Sequence, residues 1–143
     1  MRGIIWFMAF VQMGSCTEAS RLQDEPNLIA YESSSRGYFY RIEVNSESVK
    51  VYEDRSMAQS KEQELKPEQW QDLLKLLDKI AIDELGDLEV STTQSATDRS
   101  AIAAISIRKG THNYESAAFD ANTPPEKLKP LITLMRTLAE TVE

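Results

Sequence analysis

The chain has 143 residues, 16 basic and 23 acidic, for a formal charge of −7 with one histidine and one cysteine. That is the length of one small domain, and 41% hydrophobic with 27% charged residues is a globular rather than a disordered balance. The acidic balance excludes nucleic acid as the expected partner, because phosphate binding needs a basic face. A single cysteine excludes a disulfide framework within the chain, and the Cys/His count excludes most zinc sites.

The chain opens with Arg2, an unbroken apolar run from Ile4 to Val11, and then small Gly14 and Ser15 before Cys16. A basic start, a short apolar stretch and small residues at the cut are the layout of a secretory signal. Eight helical residues reach only about 12 Å against a hydrocarbon core of roughly 30 Å, which disfavours a spanning anchor. The string Met13-Gly14-Ser15-Cys16 resembles the lipobox of bacterial lipoproteins, with methionine where leucine is usual. The resemblance implies a diacylglycerol thioether on Cys16, cleavage just before it, and acylation of the new amine by a palmitate-type chain. Two or more acyl chains anchor stably where one does not. Cleavage would leave residues 16–143, with 15 basic and 23 acidic residues and a charge of −8. Residues 1–15 are thus expected to be a signal peptide. Residues 16–27 would be the lipidated cysteine and a polar tether, and 28–143 a single domain. The tether segment Thr17 to Asn27 reaches about 35–40 Å at most.

Within the domain, Leu28 to Ser33 reads as a short strand and Ser33 to Gly37 as a turn. Tyr38 to Val44 alternates, with Tyr38, Tyr40, Ile42 and Val44 on one face and Phe39, Arg41 and Glu43 on the other. Asn45-Ser46 predicts a turn onto a partner strand carrying Val49 and Val51, and with a loop of either two or four residues Tyr40 and Ile42 share one face with these valines. Asp54 to Lys66 is polar and without periodicity. Pro67 then suits the first position of a helix, whose stripe is Trp70, Leu73, Leu74, Leu77, Ile80 and Ala81, with Gly86 as a terminator. Ser91 to Ser100 reads as a loop. Ala101 to Arg108 predicts a strand with Ala103, Ile105 and Ile107 on one face, and Tyr114 to Asp120 its return strand after a turn at Gly110. A last helix starts after Thr123-Pro124-Pro125, with Thr123 a candidate N-cap. Pro130 forces its regular part either to begin near Lys127 or to kink. Its stripe is Leu128, Leu131, Ile132, Met135, Leu138, Ala139 and Val142. The expected architecture is α+β: an antiparallel sheet of about five strands in the order β-β-β-α-β-β-α, with two helices packed on one face.

Few residues suggest chemistry. His112 is read as a solvated turn residue, and no cysteine or histidine is near enough to complete a metal site with it. Ser106-Ile107-Arg108-Lys109 matches the S-x-x-K string of serine acyl enzymes, but would lie on a strand instead of opening a helix. Asp83, Glu84, Asp87 and Glu89 cluster near the first helix end without the order of a calcium loop, so a solvated surface is expected. No cofactor and no metal is expected. Arg36, Tyr38, Tyr40 and Arg41 are the candidate partner-binding surface. Aromatics with a few polar groups form sugar or peptide platforms, although the same tyrosines could simply line the core face of the sheet.

The segments Tyr31-Glu32-Ser33-Ser34-Ser35-Arg36-Gly37 and Tyr114-Glu115-Ser116-Ala117-Ala118-Phe119-Asp120, with the lipobox and a tryptophan-bearing helix, resemble small uncharacterised lipoproteins of the Bacteroidota type. That resemblance implies an envelope location and carries no activity, cofactor or catalytic residue. Thr17 after the cysteine lacks the aspartate associated with inner-membrane retention in enteric bacteria, which leans towards the outer membrane. The expected function is a lipid-anchored, non-enzymatic envelope domain. Its partners would be the bilayer through Cys16 and an envelope protein or glycan. One alternative is an envelope hydrolase with two acids among Asp83, Asp87, Asp98 and Asp120 in one cleft. Another is a periplasmic inhibitor or chaperone-like module with an open sheet edge or apolar patch.

Overall fold

The computed structural model describes residues 25–90 and 100–143. The signal segment, Cys16 and Asp98 lie outside these residues. Seven strands form one antiparallel sheet. They are β1 (Leu28–Ser35), β2 (Tyr38–Val44), β3 (Ser48–Tyr52), β4 (Lys61–Glu64), β5 (Ile102–Lys109), β6 (His112–Glu115) and β7 (Phe119–Asp120). The spatial order is β4-β3-β2-β1-β5-β6, with β7 also paired to β5. Helices α1 (Pro67–Leu77) and α2 (Lys129–Glu140) and a 3-10 turn, Ile82–Asp87, complete the described domain. The fold is α+β, with two strands more than the expected five.

The extra strands have distinct causes. β4 is Lys-Glu-Gln-Glu, exposed throughout. It has no apolar period to reveal it, and it exists because its backbone pairs with β3 from Ser48↔Glu64 to Val51↔Lys61. The expected return strand Tyr114 to Asp120 is instead two pieces. β6 pairs Ser106↔Glu115, whereas β7 pairs Ala103↔Phe119, so the register slips by one residue between them. The slip is a β-bulge at 116–118. Ser116 heals it: its N–H donates to the Ile105 carbonyl at 2.9 Å, and its Oγ accepts the Ile105 N–H at 3.0 Å.

One face of the sheet makes the core. Ile29, Tyr31, Ile42, Val44, Val49, Val51, Ala103, Ile105 and Ile107 point into it and are buried. In α1 they meet Trp70, Leu73 and Leu77, and in α2 Leu131, Ile132, Met135 and Leu138. Period-two alternation then sends Glu32, Arg41, Lys50, Glu62, Ser106 and Arg108 to the opposite face. There Arg41 bonds Glu32 and Glu43, each at 2.8 Å, and Lys50 lies 3.5 Å from Glu62. Opposite charges facing each other across neighbouring strands suit a sheet face that meets water.

The helix limits also have local causes. Pro67 opens α1, and the Gln69 side chain accepts the Lys66 backbone N–H at 3.0 Å. α1 ends at Leu77, short of the expected stripe. Ile80 is still buried, but from the connection to the 3-10 turn, and Ala81 is exposed. Gly86 lies inside that turn rather than ending a helix. α2 begins at Lys129, so Pro130 falls in its first turn, where a missing N–H costs nothing. Thr123 caps nothing; Leu128 is the N-cap. The hairpin registers are Ile42↔Val51 and Val44↔Val49, one pair further along than an alignment of Tyr40 with these valines. Among the described residues no helix is long and apolar enough to cross a membrane.

Candidate functional site

β1 and β2 are joined by a two-residue loop, Arg36-Gly37, in which Gly37 has φ +85°. A side chain is strained at that angle, so glycine permits the tight reversal. The reversal brings Ser35 opposite Tyr38 and Ser33 opposite Tyr40. Tyr31, Tyr38 and Tyr40 therefore share the helix-facing side of the sheet and step outwards from the core. Tyr31 is fully buried, Tyr40 is half-buried against the core, and Tyr38 is 48% exposed at the tip.

Two arginines from distant parts of the chain close on this hairpin. Arg136 of α2 donates from Nη2 to the Tyr31 Oη at 2.7 Å, and its guanidinium lies 5.2 Å from the centre of the Tyr31 ring. On the opposite face Arg55 stands 6.0 Å over the Phe39 ring and donates to the Ser35 carbonyl at 2.9 Å. Arg36 is exposed at the apex. None of the three is ion-paired among the described residues. Burial pushes the Tyr38 hydroxyl pKa up, helped by Tyr31 and Glu53 and opposed by Arg136. Burial also raises that of Tyr40, helped by Tyr38, Glu53 and Glu140 and again opposed by Arg136. Both hydroxyls therefore stay neutral donors at physiological pH.

The structure divides the sequence-derived surface. Arg36, Tyr38 and Tyr40 come together at the tip, whereas Arg41 faces the other side of the sheet. Strand alternation makes this unavoidable, since Arg41 follows Tyr40 directly. Burial opposes the charge of Arg41, but its hydrogen bonds to Glu32 and Glu43 outweigh that and raise its pKa. Its side chain is only 20% exposed. Arg41 lines a shallow hollow of about 160 Å³ with Glu32, Ser34, Ala104, Ser106 and Glu115. It is the centre of an internal ion-pair set, not a free cation.

The remaining candidates are dispersed. His112 opens β6, exposed, and stacks on Tyr114 with ring centres 6.5 Å apart. Ser106 and Lys109 fall on opposite sides of β5, so the S-x-x-K spacing does not converge. Asp83, Glu84 and Asp87 are exposed on the 3-10 turn, and no group of three or more His, Cys, Asp or Glu able to hold a metal occurs among the described residues. Asp87 lines an open hollow with Leu88, Glu89, Pro125 and Lys127. Asp120 is 2% exposed; its Oδ1 accepts the Asn122 N–H at 2.8 Å, while Oδ2 has no partner. It is bound to its own turn. Arg55 and Arg136 were not legible as site residues, because nothing local ties an arginine to an aromatic ring 16 or 105 positions away. No protein-family model matches this chain, and no curated protein matches it.

Proposed function

We propose that this chain is an exported, lipid-anchored binding domain of a bacterial envelope, with the outer membrane as its site. In this reading Cys16 carries the lipid and the β1–β2 tip meets the partner. The observation that carries it is the direction of β1. Asn27 clasps one end of the sheet, donating from its N–H to the Arg108 carbonyl at 2.8 Å and accepting the Gly110 N–H on Oδ1 at 2.7 Å. The chain then runs through β1 to the Arg36-Gly37 loop at the other end. Eight residues at ~3.3 Å each separate the two ends by about 25 Å. In this reading a tether entering at Asn27 joins the sheet at the end opposite the tyrosine-bearing tip.

The test is replacement of Cys16 by alanine, followed by membrane fractionation and mass measurement of the wild-type protein. The wild type should carry the added mass of a diacylglycerol and sediment with membranes, and the variant should be soluble. A variant that stays in the membrane fraction, or a wild type without added lipid mass, overturns the reading.

A further inference from the structure

We propose that the outer edge of β4 takes up an extended basic segment of a partner protein as an added strand. This surface is separate from the β1–β2 tip, and the proposal rests on neither the tip nor the lipid anchor. The sheet has two outer strands, β4 and β6, and they differ. Against β6 lies the 3-10 turn: a Cβ on its Gly86 would come 3.5 Å from the Glu115 carbonyl oxygen. All four residues of β4 are exposed, and among the described residues β4 pairs with β3 alone.

The register fixes which groups this edge presents. The Leu65 N–H donates to the Glu47 carbonyl at 2.8 Å, so Leu65 turns its main chain towards β3. Antiparallel ladders alternate, so Lys61 and Gln63 do the same, while Glu62 and Glu64 turn their N–H and C=O groups outwards. Side chains alternate as well. Lys61 and Gln63 pair with Val51 and Val49, whose side chains enter the core, so Glu62 and Glu64 stand with Lys50 on the opposite face. The two residues that offer hydrogen bonds to a new strand are therefore the two that carry carboxylates on one face. Lys50 lies 3.5 Å from Glu62, and Glu64 has no ion pair among the described residues.

Charge selects the occupant. In an added antiparallel strand, the residues directly opposite Glu62 and Glu64 lie two apart and emerge on the same face. Lysine or arginine at both positions meets a carboxylate at each, whereas acids there are repelled. A second copy of this chain fails on that ground. Only outward-turned residues can face each other, so the antiparallel register that overlaps both glutamates sets Glu62 against Glu64 of the second copy, and Glu64 against its Glu62. The edge thus repels its own copies and acidic strands, and its hydrogen-bonding groups stay open to a basic one.

The experiment uses the full chain in detergent micelles, with binding measured calorimetrically to synthetic peptides of strand length. The first alternates lysine with threonine. The second has the same composition with its lysines in one block, and the third alternates glutamate with threonine. The fourth is the first with its lysine main-chain nitrogens methylated, which keeps the charge and removes the donors that would face β4. The first peptide should bind at least ~5-fold more tightly than any of the others. It should also slow amide exchange at Glu62 and Glu64 more than at Gln63, whose main chain already faces β3. The double variant Glu62→Gln, Glu64→Gln should weaken binding by ~3- to 10-fold, the scale of two exposed ion pairs. Glu84→Gln, an exposed acid on the 3-10 turn, should leave it unchanged. All three positions are exposed, so unchanged thermal midpoints will separate lost binding from lost folding. Any of four results overturns the proposal: no binding of the first peptide, equal binding of another of the four, unchanged exchange at Glu62 and Glu64, or the same loss from Glu84→Gln as from the double variant.

Discussion

Tyr31 sits with its ring in the core and its hydroxyl under Arg136. The pairing lets a fully buried tyrosine keep a hydrogen-bond partner, which burial otherwise makes costly to omit. Tyr31→Phe should lower stability by about 1 kcal/mol, read as a shifted urea midpoint with unchanged slope. Arg41 is the opposite case, a cation held by two acids on the solvent face. Arg41→Met leaves Glu32 and Glu43 without it and should cost about 1 kcal/mol, because the pairs are partly open to water and so partly screened. Tyr38 and Tyr40 make a pH prediction. Their native pKa values are raised above 10.0, so the folded state holds these protons more tightly than the unfolded chain does. Their stabilising contribution is whole below pH 10.0 and is lost as pH rises through the native values. Ultraviolet titration should show two late-ionising tyrosines, and stability should fall over that alkaline range.

At the scale of elements, hydrophobic period decides what can be seen in a linear chain. β2, β5 and both helices carry a clear period of two or about 3.6 and appear there, although α1 stops at Leu77, before the Ile80 and Ala81 end of its stripe. β4 carries none, because an outer strand exposed throughout has no buried face to pattern. Its charges also guard an open edge against pairing with copies of itself. The bulge at 116–118 is equally silent, since a strand with one extra residue reads like a strand. Ser116→Ala tests it. The Ile105 N–H would lose its Oγ acceptor inside the sheet, and stability should fall by about 1–3 kcal/mol, with faster amide exchange at Ile105.

At the scale of the whole molecule, the described domain has one apolar cluster shared by the sheet, α1 and α2. Unfolding should therefore be cooperative. Trp70 is 5% exposed within that cluster, so its fluorescence and the far-ultraviolet circular dichroism should change at one denaturant concentration. Leu73 and Leu131 are fully buried on facing helices. Leu73→Ala or Leu131→Ala should each cost about 2–5 kcal/mol, moving both probes together. Separate transitions for the two probes would show that the helix layer and the sheet do not share a core.

The residues alone determined the fold class, the core face of each main strand, the stripe of α2, that of α1 as far as Leu77, and the tyrosines of the candidate surface. All of these follow from short-range spacing, where a side chain's direction is dictated by its own backbone period. Tertiary structure decided what stands next to those tyrosines. It separated Arg41 from Tyr38 and Tyr40 by the thickness of the sheet, and it brought Arg136 to Tyr31 on the tyrosine side and Arg55 to Phe39 on the Arg41 side. It also set the candidate surface at the far end of β1 from Asn27. Contacts between residues 16 to 105 positions apart depend on how the layers pack, and packing is settled by the whole core at once rather than by any local run of sequence.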